Sequence, residues 1–195
     1  MKQPVNADEA NNSQEIDESR REFNKWLWRL PVIAALGGAG YAAWRVYSVQ
    51  FSKVKPVENP VFDTRSRQEI ADLSTLEELW TTAEFVLEGI PAILIHVPEA
   101  IPGGLSVEEQ HFVAFSRICT HQACIVQPNR NYEAIAVSYN YRTSSPVLAC
   151  NCHFSVFDIR KAGEAVSGPA VLPLPRIQLD HKAGKVFAVG VETSA

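Results

Sequence analysis

A mainly β head built from antiparallel sheets, preceded by one N-terminal transmembrane helix, is the fold class this sequence predicts. Three observations carry the prediction. Beyond residue 60, short runs of β-branched and aromatic residues alternate with Pro and Gly turn signals. Near the N-terminus, Leu30 to Trp44 contains no charged residue. A proline-punctuated polar stretch separates the two regions. The length of 195 residues suits one domain of ordinary size plus an anchor. Hydrophobic content of 46% fits a packed core. A net charge of −4, with acids and bases interspersed, excludes a strongly basic nucleic-acid surface.

Residues 1–25 are expected to form a cytoplasmic leader, disordered by composition up to residue 18. Within it, Ser19-Arg20-Arg21-Glu22-Phe23-Asn24-Lys25 resembles a twin-arginine export signal. That route carries domains already folded around a cofactor. Residues 26–46 are expected to be a transmembrane signal anchor. Trp26, Trp28, Tyr41 and Trp44 lie near the ends of the apolar run, where amphipathic rings favour the bilayer interface. The charge-free run is about 15 residues against the usual 20 or so for a span, and Arg29 and Arg45 can snorkel. No small-x-small cleavage pattern closes it, because Gly40-Tyr41-Ala42 has a bulky centre. The expectation is a single pass through a bacterial cytoplasmic membrane, amino terminus inside and head on the extracytoplasmic, periplasmic side. Ala35, Ala39 and Ala43 recur every four positions, which suits close helix approach and equally suits ordinary membrane alanine.

Residues 47–60 read as a linker or hinge, and 61–195 as the head. Strand-like runs fall at Glu84–Leu87, Ala92–Val97, His111–Ile118, Ala134–Tyr139, Pro146–Cys150 and Val186–Val191. Arg67 to Thr82 has helical apolar spacing at Ile70, Leu73, Leu76, Leu79 and Trp80 and predicts a helix or turn.

The four cysteines, at 119, 124, 150 and 152, cluster with two histidines instead of scattering through the chain. Such clustering calls for metal or disulfide chemistry. Two boxes carry it: Cys119-Thr120-His121-Gln122-Ala123-Cys124, and Cys150-Asn151-Cys152-His153-Phe154-Ser155-Val156-Phe157-Asp158. Each offers one thiolate and one imidazole, as Cys-x-His and Cys-x-x-His.

This spacing resembles the Rieske iron–sulfur family, of the cytochrome bc type, over roughly Phe112 to Val191. The resemblance implies an antiparallel β-sandwich head with a smaller cluster-binding subdomain at about 116–172, holding one 2Fe–2S cluster. It assigns Cys119 and Cys150 to a buried iron, and His121 and His153 to an exposed one. Replacing two thiolates by neutral imidazoles removes negative charge and raises the reduction potential, a general property of Rieske centres. A metal-bound imidazole also loses its second proton more readily, which links electron and proton uptake. His121 and His153 are thereby implied as the quinol contact. Cys124 and Cys152 are implied as a disulfide between the two loops, a bond that persists outside the cytoplasm. Gly168-Pro169-Ala170 resembles the proline loop that covers the cluster. Ser155 matches a serine that hydrogen-bonds a bridging sulfide.

The chain departs from the bc pattern at several positions. Gln122-Ala123 stand where Leu-Gly is usual, Asn151 where Pro is usual, and Phe154 where Gly is usual. Phe157 stands where many ubiquinol-oxidising members carry a tyrosine that bonds a ligand sulfur. Losing such a donor lowers the potential, which suits a more reducing quinol such as menaquinol. Residues 122–149 are longer than in many relatives and read as a surface hairpin. His96, His111 and His181 read as surface or strand-edge residues, and Asp158 as a brace for the second loop.

The leading expectation is the one-electron carrier of a quinol–cytochrome c oxidoreductase, with quinol, a cytochrome b-type membrane subunit, a cytochrome c-type acceptor and the lipid bilayer as partners, and no nucleic acid. A second reading is the Rieske small subunit of an arsenite-oxidase-type complex. A third, from another class, is a structural zinc module with two Cys and two His.

Overall fold

The computed structural model describes residues 7–193, with side chains described from Arg20 onward except at 49–51. The chain divides into two units, Met1–Ser48 and Val49–Ala195.

The first unit is helical. Helix α1 runs over Ala7–Phe51 with Pro31 inside it. It therefore includes most of the leader expected to be disordered; residues 1–6 of that leader lie outside the described residues. Trp28, Leu36, Tyr41 and Trp44 are all exposed on it. The N-terminal helix expected there forms, but its spanning of a membrane is not shown. Among the described residues, no helix is long and apolar enough to cross a membrane. Arg29 and Arg45 confine the charge-free run to about 22 Å of helix, short of the ~30 Å hydrocarbon core.

The second unit holds three antiparallel sheets. Its strands are β1 (Phe62–Asp72), β2 (Thr82–Leu87), β3 (Ile90–Val97), β4 (Leu105–Val107), β5 (Gln110–Ser116), β6 (Gln127–Asn129), β7 (Val147–Cys150), β8 (Ser155–Asp158), β9 (Glu164–Ser167), β10 (Ile177–Lys182) and β11 (Lys185–Glu192). A short helix, α2 (Tyr132–Ser138), lies between β6 and β7. The sheet orders are β1-β11-β10, β2-β3-β5-β4 and β6-β7-β8-β9.

Strand β3 shows why the layers stack as they do. Successive side chains of a strand face opposite ways. Ala92 and Leu94 join Phe112, Ala114, Ile177, Val186 and Ala188 in the core between the first two sheets. Ile93, Ile95 and Val97 face the other way, into a core shared with Cys119, Leu148, Cys150, Phe157 and Leu174. The central sheet is thus covered on both faces, by the rest of the sandwich on one and by the cysteine-bearing subdomain on the other. The expected mainly β, antiparallel sandwich is what forms.

Several local expectations differ. Of the helix or turn expected over Arg67–Thr82, only the turn forms: β1 continues to Asp72, followed by a 3-10 turn at Leu73–Thr75. Register shifts between Thr64 and Gln68 and between Glu69 and Ala71 break the period of two. Of the five apolar positions only Ile70 lies in β1; Leu73 is in the 3-10 turn and Leu76, Leu79 and Trp80 follow it, so the spacing runs across a strand end and a turn. Ala134–Tyr139 is not a strand, because Asn131 accepts from the Ala134 N–H at 3.0 Å and caps α2 instead. The expected surface hairpin over 122–149 is therefore a strand–helix–strand unit, with Ile135 and Tyr139 buried against Val147, Ala149 and Val156. His96 is no surface residue either. It is buried on β3, with Nδ1 3.1 Å from the Glu78 carbonyl.

The stretch after α1 lies against the head. The Val54 N–H donates to the Val171 carbonyl at 2.9 Å. The Lys53 ammonium donates to the carbonyls of Gly168 and Ala170. Arg176, fully buried, donates to the Val57 carbonyl at 2.9 Å while forming a two-pronged ion pair with Glu192.

Candidate metal centre

Two loops present the cysteine and histidine boxes. The first leaves β5 and turns back on itself. The Cys119 N–H donates to the Cys124 carbonyl at 2.8 Å, and the Ala123 N–H to the Cys119 carbonyl at 2.9 Å. Ala123 takes a φ of 57°, the left-handed region that such a reversal demands. Arg117 braces the base of this loop: buried, it donates through Nε to the Val126 carbonyl at 3.1 Å and pairs with Glu84. The second loop is the turn between β7 and β8, where Cys150 is the register partner of Ser155. Phe154 closes that turn at a φ of 59°.

The Cys124–Cys152 disulfide ties the two loops together, with Cα atoms 6.6 Å apart. Cys119 and Cys150 remain free and buried. Burial pushes the Cys119 thiol up from the ordinary range, and the adjacent Cys150 thiol pushes the same way, while the N–H groups of His121 and Gln122 pull it back. The rings of His121 and His153 meet edge to face with centroids 4.9 Å apart. His153 is exposed and His121 half-buried. The sulfurs of Cys124, Cys150 and Cys152 lie within 4.8 Å of one another. Two of those sulfurs are spent in the disulfide, so that trio is not a separate ligand set.

A third loop closes over the pair. Gly168 has a φ of 77°, and any Cβ there would stand 2.7 Å from the Ser155 nitrogen. Only a glycine permits that approach. The Ala170 N–H donates to the Ser155 hydroxyl oxygen at 3.1 Å, leaving the buried Ser155 proton to be given elsewhere. Thr120 donates to the Leu172 carbonyl at 2.7 Å, joining the first loop to the third. Asp158 is buried; it accepts from the Tyr141 hydroxyl at 2.7 Å and from the Arg160 N–H at 3.0 Å.

Sequence reasoning passed over Lys53, Arg117, Tyr139 and Arg176. Lys53 lies in the linker and Tyr139 in a run read as strand. Arg117 and Arg176 are the two buried arginines among the described residues, and neither belongs to a local motif.

One feature of the side chains asks for a metal. His121 Nδ1 is buried without a hydrogen-bond partner. A buried ring nitrogen left unpaired is costly, and coordination by a metal removes the cost. Two buried free thiols beside paired imidazoles supply the donor chemistry of a mixed Cys/His iron–sulfur centre. Such a centre, on an antiparallel sandwich with a disulfide across its loops, defines a redox metalloprotein.

The Rieske [2Fe-2S] domain family matches residues 81–178, and the chain belongs to it. Its cofactor is a Rieske-type 2Fe–2S cluster, which sets aside the zinc reading. Among relatives, iodate reductase subunit IdrB of Denitromonas iodatirespirans is 25% identical over 186 residues, 95% of this chain and 87% of that protein. The cytochrome bc1 complex Rieske iron-sulfur subunit of Corynebacterium glutamicum is 34% identical over 80 residues, 40% of this chain and 17% of that protein. Its Streptomyces lividans counterpart is 28% identical over 96 residues, 48% of this chain and 49% of that protein. The solved soluble domain of Rieske protein II (soxF) from Sulfolobus acidocaldarius is 22% identical with a TM-score of 0.49, covering 67% of this chain and 82% of that one.

Proposed function

We propose that this chain is the one-electron carrier subunit of a membrane quinol–cytochrome c oxidoreductase. The observation that carries the reading is the pair of imidazoles at the surface, edge to face at 4.9 Å, beside two buried thiols. Cys119 and Cys150 would hold one iron, and His121 and His153 the other. A cluster so held supplies single-electron transfer at a potential raised by its neutral ligands.

The chain's own residues do the rest. His121 has its Nδ1 buried, so Nε2 is the nitrogen left to hold or release a proton. His153, exposed, offers the edge that a quinol hydroxyl reaches. The disulfide and the Gly168–Ala170 loop keep water from the thiols, which are 3% and 1% exposed at Cys119 and Cys150. Low access of this kind holds the electron path dry. Delivery to a cytochrome c-type acceptor needs the head to move between a cytochrome b-type subunit and that acceptor. Of the expected linker 47–60, Lys53, Val54 and Val57 are bonded to the head, so a joint for that motion would lie ahead of Lys53. The uncharged, aromatic-flanked run of α1, exposed at Trp28, Leu36, Tyr41 and Trp44, would hold the chain at a bilayer, with the twin-arginine stretch on the cytoplasmic side. Phe157 in place of a hydroxyl donor suits a low-potential quinol such as menaquinol.

A second reading has one observation in its favour. The likeness to IdrB runs over 95% of the chain, and that to the Corynebacterium bc1 subunit over 40%. IdrB is by name part of an iodate reductase. On this reading the chain is the small electron-carrying subunit of an oxyanion-converting complex of the arsenite-oxidase type.

Low-temperature electron paramagnetic resonance of reduced membranes, with and without an inhibitor of quinol oxidation sites, separates the two. A cluster signal whose shape changes with inhibitor supports the quinol reading. A signal indifferent to inhibitor moves the assignment to the second.

A further inference from the structure

We propose that Tyr139, delivered by the 122–149 insertion, is the positioning residue that fixes the second ligand loop and so sets the potential of the centre. The inference rests on Cys150 and His153 as ligands.

Tyr139 reaches three parts of the site from one position. Its hydroxyl donates to Asn151 Oδ1 at 2.5 Å. Its ring meets Phe154 edge-on, centroids 5.3 Å apart. Its carbonyl accepts from the buried Ser167 hydroxyl at 2.6 Å, one residue before Gly168. The side chains it grips flank the ligands, Asn151 following Cys150 and Phe154 following His153.

The need for such a clamp is visible in the loop itself. Phe154 holds a φ of 59°, a conformation that disfavours a bulky side chain. Asn151 stands where the bc pattern usually has proline, so no ring locks its φ. Neither position is rigid alone, and both are held by Tyr139. Tyr139 in turn is held by α2, whose Ile135 is fully buried against Val147, Ala149 and Val156. The insertion, the asparagine and the strained phenylalanine thus form one device. Cluster potential depends on solvent access to the ligand sulfurs. Loosening the loop admits water to Cys150, which favours the more negative reduced form.

The test is a double-mutant cycle read on the midpoint potential and resonance line width of the full chain carrying its cluster. Tyr139→Phe removes the hydroxyl and keeps the ring contact. Asn151→Ala removes the acceptor from an exposed position and leaves the core untouched. Each should raise the midpoint and broaden the signal while thermal stability changes little, and the double variant should shift no further than either single one. Unchanged potential and line width in Asn151→Ala, or single-variant shifts that add in the double, would overturn the proposal. Should Tyr139→Phe lose the fold, the Asn151→Ala result decides alone. A wild-type chain with no mixed Cys/His signal would overturn the ligand reading, and the proposal with it.

Discussion

The Lys53 ammonium lies 2.6 Å from the Ala170 carbonyl, across 117 positions of sequence. It also donates to the Gly168 carbonyl, so one linker side chain grips both ends of the loop that covers the centre. Burial pushes the Lys53 pKa down, as expected of a cation drawn partly out of water. Lys53→Met should destabilise the head by about 1 kcal/mol, a charged hydrogen bond discounted for its remaining exposure. Amide exchange at Ala170 should quicken at the same time. Urea denaturation and hydrogen exchange measure both, and no change in either would mean the clamp is idle in solution.

Removing the disulfide should weaken the head more. Cys124 and Cys152 are 28 positions apart, and a loop of that size gives roughly 3–4 kcal/mol on the chain-entropy account. A Cys124→Ala/Cys152→Ala variant should show most of that loss in denaturant. It should also let His121 and His153 drift apart, which would appear as a broadened cluster signal. Wild-type stability and an unbroadened signal would contradict this.

Phe157 is fully buried in the same apolar cluster as Cys119 and Cys150. A hydroxyl introduced there that reaches a ligand sulfur stabilises the reduced state. Phe157→Tyr should therefore raise the midpoint potential at little cost in stability. A stability loss of about 1–3 kcal/mol with no rise in potential is what a buried, unpaired hydroxyl would give, and it would contradict the account.

The cluster-free protein should lose stability in alkali. Burial holds the Cys119 pKa above its unfolded value, so the folded thiol keeps its proton where the unfolded one has lost it. Below about pH 8.5, both states are protonated and the favourable contribution is whole. Above that value the unfolded chain binds fewer protons, and stability falls until the folded thiol also ionises, by up to about 1.4 kcal/mol per pH unit. Denaturant melts at about pH 8 and about pH 10 measure this, with Cys119→Ala as the control that should remove Cys119's share of the fall. A flat or rising profile in the unmodified apo chain would refute it.

The cysteine and histidine boxes were legible in the sequence because their spacing is local, each confined to a few residues of one loop. Strands β2, β3, β5, β7 and β11 were legible for a similar reason, since a short β-branched and aromatic run between turn signals is written along the strand. Strand β1 was hidden by its two register shifts. Helix α2 was hidden by its β-branched Ile135 and Val137, which outweighed the capping asparagine in a plain reading. The uncharged run in α1 was legible as apolar, yet among the described residues no helix is long and apolar enough to cross a membrane. What could not be read at all were contacts made across the chain. Arg176 is fully buried, bonded to Glu192, to the Pro102 carbonyl at 2.7 Å and to the Val57 carbonyl. No neighbour in sequence foretells those partners. Tyr139 on Asn151 and Lys53 on Ala170 are of the same kind.

The central claim is that two thiolates and two imidazoles from the two boxes hold the cluster. Electron–nuclear double resonance of the reduced chain grown with 15N-histidine tests it most directly. The account predicts two strongly coupled histidine nitrogens, one lost in His121→Ala or His153→Ala where those variants keep a cluster. A cluster signal without histidine coupling would contradict it.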